Sequence, residues 1–395
     1  MGDRSPNCLE RLLRACRARL LPGAAGAVAA FSLGLGGCSS PPPPPPPAPV
    51  FYPPLPERPR IQFLCVLSSP ADVLPKPGFF ARFVLGPEAQ SQEGQINRPY
   101  GVAWGDGKLF VCDSGARRCA VFDFAARAFR TFGDRGPHRL GLPINISLGP
   151  GGEKYVADTG RGAVFVFDFA DQPVCSISPP EGMKPCDALW YDGALYVADL
   201  KSDAILVFDP ESGQLLQRLG KGGDKPGEFH QPTNVAFGPD GSLYVSDTFN
   251  ERVQKLDREG RVLQVIGTLG EAVGEMVRPK GIAVDRAGRL YVADAATDSV
   301  QIYDSTGQLL LMLGGPGEGP GDLSLPAKVA LSYEGIGCFA SYAAPEFDVE
   351  CLIFVTSQLG PAKVSVYGLG TYRGLVPTET QGTKSESKTV EGPAQ

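Results

Sequence analysis

The feature that most constrains this chain of 395 residues is an internal repeat. Each copy begins with a proline, which is followed two residues later by Gly, Asn, Asp or Lys and then by a small apolar residue. The copies begin at Pro99, Pro143, Pro185, Pro232, Pro279 and Pro326, so the steps between them are 44, 42, 47, 47 and 47 residues. Repeats of this length stack on their neighbours, because one unit cannot bury its apolar face alone.

Two further markers recur in register in the first five copies. The first is an aspartate that ends a YVAD-like run, at Asp113, Asp158, Asp199, Asp247 and Asp294. The second ends a VFD-like run about ten residues later, at Asp123, Asp168, Asp209, Asp257 and Asp304. Between the markers, alternating apolar residues are punctuated by turn signals such as GPDG and DRAG. Four short antiparallel strands per copy are typical of a β-propeller blade, so six copies predict six blades.

The sixth copy ends without a fourth strand. A segment that resembles the fourth strands, RIQFLCVL at residues 60–67, instead precedes the first copy. If this segment pairs with the last blade, the ring closes and both exposed sheet edges disappear. We therefore predict an all-β, six-bladed propeller over residues 59–370, closed by an N-terminal strand that is added to the last blade.

The combined pattern, P-x-[GN]-[VI]-A followed by YVAD and V-x-x-[FY]-D, resembles that of NHL-repeat proteins. The span from about Phe51 to Gly370 is similar to the six-bladed NHL propeller lipoproteins of bacteria. This resemblance implies a propeller with a ligand-binding rim, and it implies no particular reaction. The family includes scaffolds, binding modules and a few enzymes, so the fold alone does not determine the function.

The first 37 residues have the pattern of a signal peptide. Five arginines precede the apolar stretch PGAAGAVAAFSLGLGG, which is too short and too weakly apolar for a stable membrane span. The stretch ends with Leu35 and Cys38 in the spacing of the bacterial lipobox, so we expect cleavage after Gly37 and lipidation of Cys38, palmitate included. A chance L-x-x-C behind an ordinary signal peptide is the alternative. Ser39, by analogy with the family, favours the outer membrane.

Two more segments lie outside the repeats. Residues 38–58 contain a run of prolines, which enforces polyproline II and predicts a linker that reaches on the order of 50 Å from the lipid. Residues 371–395 have no apolar period and are expected to be disordered. The chain would thus be a membrane-anchored cell-envelope protein, and we expect a monomer.

Seven cysteines follow Cys38, and the cell envelope permits disulfides. Cys338 and Cys351 bracket the insertion in the sixth copy, so this pair is the candidate disulfide. Cys112 with Cys119 and Cys175 with Cys186 are also close in sequence. An odd total leaves at least one thiol free, and the connectivity stays open.

Catalytic motifs are scarce. The chain has no GxSxG, and its two histidines, His138 and His230, fall in connectors between copies. Two histidines are too few for a three-histidine zinc site, and the metal-dependent lyase branch of NHL proteins uses more. The repeated YVAD aspartates are expected to bind loop amides, since five equivalent copies indicate a structural role. No catalytic residue is assigned.

The second residue after each proline is predicted to face the central channel. Polar side chains occupy four of these positions, Asn145, Asp187, Asn234 and Lys328, and glycines occupy the other two, Gly101 and Gly281. The polar four are the candidate axial ligand-binding residues, and their oxygens would suit calcium. One carboxylate is little charge for a calcium site, and Lys328 would repel a cation. These groups could instead satisfy one another and buried water.

Two function classes therefore remain. The leading hypothesis is a lipid-anchored binding or scaffold module for an envelope protein or a small ligand, and the family resemblance suggests a place beside an electron-transfer complex. The insertion at residues 332–352 and the stretch around Phe79 and Phe80 are the candidate contact surface. The alternative is a metal-dependent lactonase-like or lyase-like enzyme with an axial site. A net charge of -6 argues against a nucleic-acid partner.

Overall fold

The computed structural model describes residues 48–75, 94–270 and 272–376. The predicted signal peptide with its expected cleavage site at Gly37, Cys38, the proline run, Phe79, Phe80 and residues 377–395 lie outside these ranges. The chain enters with β1 (Phe51–Tyr52) and β2 (Ile61–Leu67). No helix among the described residues is both long enough and apolar enough to cross a membrane.

Five four-stranded antiparallel blades follow in chain order. Blade one consists of β3 (Pro99–Gly105), β4 (Lys108–Asp113), β5 (Arg118–Asp123) and β6 (Ala128–Phe132). Blade two consists of β7 (Pro143–Leu148), β8 (Lys154–Asp158), β9 (Ala163–Phe167) and β10 (Pro173–Ile177). Blade three consists of β11 (Pro185–Tyr191), β12 (Ala194–Asp199), β13 (Ala204–Phe208) and β14 (Leu215–Leu219). Blade four consists of β15 (Pro232–Phe237), β16 (Leu243–Asp247), β17 (Arg252–Leu256) and β18 (Val262–Ile266). Blade five consists of β19 (Pro279–Val284), β20 (Leu290–Asp294), β21 (Ser299–Tyr303) and β22 (Leu309–Gly314).

Blade six closes the ring. It consists of β23 (Pro326–Ser332), β24 (Phe347–Ser357) and β25 (Val364–Tyr372), followed in the sheet by β2 and then β1. In β2, Ile61 lies opposite Leu369 and Leu67 lies opposite Val364. The first strand of every blade contacts the first strand of the next, and β23 contacts β3. The predicted six-bladed propeller is confirmed, and the sheet of blade six agrees with closure by an N-terminal strand.

The ends of the ring differ from the sequence boundaries by a few residues. Phe51 and Tyr52 fall in the range assigned to the linker, yet they form β1, a fifth strand outside β2. The Phe51 ring packs on the rings of Phe347 and Tyr372, with centroids 5.8 and 5.4 Å apart. Because Tyr372 pairs with Phe347, β25 also continues past residue 370. A two-residue strand carries too short a pattern to be recognised in the sequence.

Six apolar clusters fill the spaces between neighbouring blades. The second strand of each blade contributes to two of them, since successive side chains point to opposite faces of a sheet. In β8, Val156 belongs to the cluster between blades one and two. Its neighbours Tyr155 and Ala157 belong to the cluster between blades two and three. Each blade therefore buries both faces against other blades, as the repeat requires.

The YVAD aspartates have the structural role that the sequence indicates, with a different set of partners. Asp158 is fully buried and accepts hydrogen bonds from the backbone amides of Gly141, Leu142 and Arg161, at 2.6, 2.8 and 2.9 Å. Two of these amides belong to the connector before the blade's own proline, and only Arg161 follows the second strand. Each such carboxylate thus joins the entry of its blade to the loop beside it.

The insertion in blade six folds against the ring. It contains two short 3-10 helices, Ile336–Cys338 and Ala340–Tyr342, and it buries Phe339 against Trp104 and Phe354. The side-chain amide of Gln62 in β2 donates to the carbonyl of Tyr342 and accepts from the amide of Ala344, at 3.1 and 3.0 Å. The insertion therefore covers the junction where the chain ends meet.

The candidate disulfide between Cys338 and Cys351 is not formed in the structure. Cys338 is exposed in a 3-10 helix, whereas Cys351 is fully buried in β24, where its thiol contacts the carbonyl of Leu352. Both are free thiols, as are the other five cysteines of the described residues. The sulfurs of Cys112 and Cys119 lie 3.8 Å apart on β4 and β5. The sequence brackets the insertion with two cysteines, but the strand begins before Cys351 and points its thiol into the core.

Candidate functional site

The second residues after the six prolines meet where the six inner strands converge. An inner strand has no neighbour on its channel side, so its amides on that edge need another partner. Asp187 Oδ2 accepts the amide of Val235 from the next blade at 3.0 Å. In the same way Asn234 Oδ1 accepts the amide of Ile282 at 2.9 Å. These polar side chains join neighbouring blades at the axis.

Lys328 reaches across the ring to the same groups. Its Nζ donates to Asn234 Oδ1 at 2.7 Å and lies 3.7 Å from Asp187 Oδ2. Asn234 Nδ2 donates to Asp187 Oδ2 at 2.7 Å. Asn145 lies in the same ring and is 1% exposed. Its Oδ1 accepts the amide of Ile146, and its Nδ2 has no hydrogen-bond partner in the described part of the chain. We call Asn145, Asp187, Asn234 and Lys328 the axial layer.

Burial dominates the electrostatics of this layer. It raises the pKa of Asp187 above its usual value of 3.8, although the Lys328 ammonium and the amides of Val235 and Ala188 oppose the shift. It lowers the pKa of Lys328 below its usual 10.5, against the attraction of Asp187. Both groups thus carry a desolvation cost, which their mutual contact and their hydrogen bonds offset in part.

Glycines complete the ring because two neighbouring backbones approach closely. A Cβ at Gly101 would overlap Asn145, and a Cβ at Gly281 would overlap the backbone of Lys328. The sequence analysis placed all six positions at the channel, and the structure brings the four polar ones into one layer. Asp187, Asn234 and Lys328 satisfy one another's polar groups, as one interpretation of the sequence expected. Asn145 differs, because its Nδ2 has no partner among the described residues.

A cavity of about 340 Å³ opens on one side of the axial layer. Asp187 and Lys328 form part of its lining, together with residues three to five positions after the prolines. The fourth positions are small in five blades and are occupied by Ala103, Ser147, Leu189, Ala236, Ala283 and Ala330. Small side chains leave the axis open, so we call this space the axial cavity. Most of its lining side chains are apolar, and its charged pair is at one end.

A second group of polar residues lies on the other side of the layer, one residue after the prolines of blades one, three and five. The ammonium of Lys280 lies 5.5 Å from the centroid of the Tyr100 ring, and the Cys186 thiol is beside the Tyr100 hydroxyl. Burial raises the pKa of Cys186 to about 12, so this thiol is unreactive at neutral pH. Tyr100, Cys186 and Lys280 do not line the axial cavity.

This second group was not among the residues predicted from the sequence. The signal was present one residue after each proline, where four of the six positions are polar, namely Tyr100, Cys186, Thr233 and Lys280. We overlooked it because in an ordinary strand adjacent residues face opposite sides. At the axis of this ring, both neighbours lie close to the channel.

The donors at the axis do not suit calcium. The axial layer supplies one carboxylate, whose Oδ2 already accepts two hydrogen bonds and faces Lys328. Calcium binds six to eight oxygens, several of them anionic. The described residues contain no group of three His, Cys, Asp or Glu that could hold a metal ion. His138 and His230 pack against Phe165 and Phe249 in the connectors, and neither lines the axial cavity.

No family model matches the sequence. The chain is 24% identical over 216 residues to Protein SUPPRESSOR OF QUENCHING 1, chloroplastic, from Arabidopsis thaliana. That match covers 42% of this chain, and the chain spans only 20% of the relative's length.

Solved structures show the same fold at low identity. A catalytically inactive virginiamycin B lyase from Staphylococcus aureus, solved with quinupristin, has a TM-score of 0.50 and 13% identity over 70% of this chain and 97% of that one. A protein of unknown function from Bacteroides thetaiotaomicron has a TM-score of 0.50 and 14% identity over 70% and 71%. A gluconolactonase from Xanthomonas campestris has a TM-score of 0.49 and 18% identity over 70% and 87%. Similarity at this level shows the fold alone, and the six sheets around the axis identify the chain as a six-bladed β-propeller.

Proposed function

We propose that the protein is a lipid-anchored binding module of the bacterial cell envelope, whose propeller holds a small ligand in the axial cavity. The axial cavity is the observation that carries this proposal. It has a volume of about 340 Å³, within the range of small-molecule sites. Most of its lining side chains are apolar, and it is lined at one end by Asp187 and Lys328. Few polar groups in a mainly apolar pocket fix a ligand's orientation.

The lining of the axial cavity indicates the chemistry of this ligand. The alanines at Ala236, Ala283 and Ala330 leave room for an apolar body. A polar group of the ligand would lie against the Asp187 and Lys328 pair, where a hydrogen bond is strong because water is scarce. We therefore propose a compact apolar molecule with one polar end.

An enzymatic function has less support. Among the residues that the structure describes, none that line the axial cavity form a nucleophile with an adjacent base, and no group near it forms a metal site. The lactonase-like and lyase-like alternative therefore rests on the fold alone, which many unrelated functions share.

Filling the axial cavity is expected to abolish ligand binding without unfolding the protein. In the Ala283→Phe variant, the ring would occupy the space that the ligand needs. A library of small apolar molecules with one polar end, screened by thermal shift and confirmed by calorimetry, should give ligands that bind the wild type and lose at least about tenfold affinity for this variant. The exposed substitution Leu216→Phe, on the outer strand β14, is the control and should bind as the wild type does.

The proposal fails if no molecule in the library binds the wild type, or if the ligands bind Ala283→Phe with unchanged affinity. In the second case the ligands occupy another surface.

The lipid anchor is tested separately. The leader and the Leu35 to Cys38 spacing support it, as does the resemblance to NHL lipoproteins. In a bacterial host, the wild type is expected in the membrane fraction, and Cys38→Ser is expected to be released, because two or three acyl chains bind a bilayer firmly. Membrane retention of Cys38→Ser would contradict the anchor.

An envelope protein beside an electron-transfer complex is the partner that we propose for the outer surface.

A further inference from the structure

The channel has a second mouth on the side where each blade begins, and we call it the proline-side mouth. Its inner ring contains Tyr100, Cys186 and Lys280 from blades one, three and five. Its outer ring contains the residues before the same three prolines, namely Arg98, Lys184 and Arg278. The same three blades therefore contribute four cations to one mouth.

Lys280 is a half-buried cation beside an aromatic ring. Its ammonium contacts the face of the Tyr100 ring at 5.5 Å, and among the described residues it makes no ion pair. Burial lowers its pKa below the usual 10.5, and the positive charges of Arg278 and Arg98 lower it further. The three cations are therefore close enough to repel one another.

The outer cations are exposed and also unpaired within the described ranges. Arg98, Lys184 and Arg278 donate only their backbone amides, to Asp113, Asp199 and Asp294. These aspartates are at most 1% exposed, and their carboxylates already accept amides. Because these carboxylates are buried, the mouth presents positive charge to solvent although the whole chain has a net charge of -6.

We propose that the proline-side mouth binds a small multivalent anion through phosphate or carboxylate groups. Lys280 would hold the inner anionic group, with the Tyr100 hydroxyl as a further donor. Arg98 and Arg278 would hold the outer group. A charge-assisted hydrogen bond is strongest where burial excludes water, which is the situation of Lys280.

This site is independent of the axial cavity. The axial layer lies between them, because Asp187 and Lys328 line the axial cavity whereas Tyr100, Cys186 and Lys280 do not. The inference therefore goes beyond the proposed function and does not depend on it. The propeller would have two binding sites on one axis.

The test is calorimetric titration of the full chain with inorganic phosphate and, separately, with citrate, at constant ionic strength. Saturable binding of phosphate alone identifies a phosphate site, and binding of citrate identifies a carboxylate site. Lys280→Met should weaken the binding at least about tenfold, because it removes a charged hydrogen-bond donor. The exposed control Lys225→Met, on the connector before blade four, should bind as the wild type does.

A second variant keeps the test valid if Lys280→Met fails to fold. Arg98→Gln with Arg278→Gln changes only exposed side chains and should also weaken the binding about tenfold. Absence of saturable binding of both anions to the wild type would overturn the proposal, and so would unchanged affinity in both variants. The Ala283→Phe variant should bind the anion as the wild type does, because its new ring lies in the axial cavity. Failure of the anion-site proposal can therefore be told apart from failure of the proposed ligand binding in the axial cavity.

Discussion

Oxidation of a Val366→Cys variant is expected to raise its free energy of unfolding by on the order of 5 kcal/mol. Residue 366 lies directly opposite Cys65 in the pairing of β25 with β2. Both side chains face the same apolar cluster, between blades six and one. Directly opposed residues of antiparallel strands have Cα atoms about 4.5–5.5 Å apart, within the range that a disulfide spans.

The size of this effect follows from the closure of the ring. The new bond would join residues 65 and 366 and so close a loop of about 300 residues, which removes much conformational freedom from the unfolded chain. Burial raises the pKa of Cys65 to about 12, so few molecules carry the thiolate and a strong thiol oxidant is needed.

Removing the ammonium of Lys328 is expected to destabilise the protein by about 3 kcal/mol. In Lys328→Met, Asp187 and Asn234 keep their burial while they lose the charge that offsets it. An unpaired buried carboxylate is costly because water no longer solvates it. The measurement is urea unfolding of the variant and of the wild type near pH 7. The matched control is Lys255→Met, which breaks the surface pair with Asp240 and should cost less than about 1 kcal/mol.

The deficit of Lys328→Met should shrink as the pH falls. Burial raises the pKa of Asp187 and the Lys328 ammonium lowers it, so without Lys328 the folded-state pKa rises further and the folded variant binds this proton more readily than the folded wild type does. Stability relative to the wild type therefore rises as the pH falls from about 7 toward the unfolded value of 3.8, where a neutral carboxyl is tolerated. An equal stability of variant and wild type at every pH would contradict the role of Lys328.

The repeat pattern predicted most of this fold. Each marker fixes one point of a blade: the proline begins the inner strand, and the YVAD aspartate ends the second. The missing fourth strand of the last blade predicted the position of β2. The sequence could not predict β1, because two residues carry no period, and contacts between the rings of Phe51 and Tyr372 decide its position.

The residues of the axial layer could be predicted from the sequence, but the contacts among them could not. Position after the proline was enough to select Asn145, Asp187, Asn234 and Lys328. Lys328 reaches Asn234 across the ring because its side chain is long. The absence of a Cβ at Gly281 also lets the backbones of blades five and six approach each other. Tyr100 and Lys280 were missed because their contact joins blades that are not neighbours in sequence or in the ring.

The disulfide expectation shows where spacing misleads. Cys338 and Cys351 are close in sequence, but one is exposed in a helix and the other is buried in a strand. A pairing needs two Cβ atoms that point at each other, and this depends on the register of β24. Thirteen residues of separation carry no information on that register.

The axial cavity, the axial layer and the proline-side mouth all depend on closure of the six blades by β2. The most direct measurement is peptide mapping of oxidised Val366→Cys beside the control Ser365→Cys, whose new thiol lies on the opposite face of β25 and pairs with Val66. The closed ring predicts a bond between Cys65 and residue 366 in the first variant and no bond to Cys65 in the second. A Cys65 thiol that remains free in both oxidised proteins, or that bonds equally well in both, would contradict the closure.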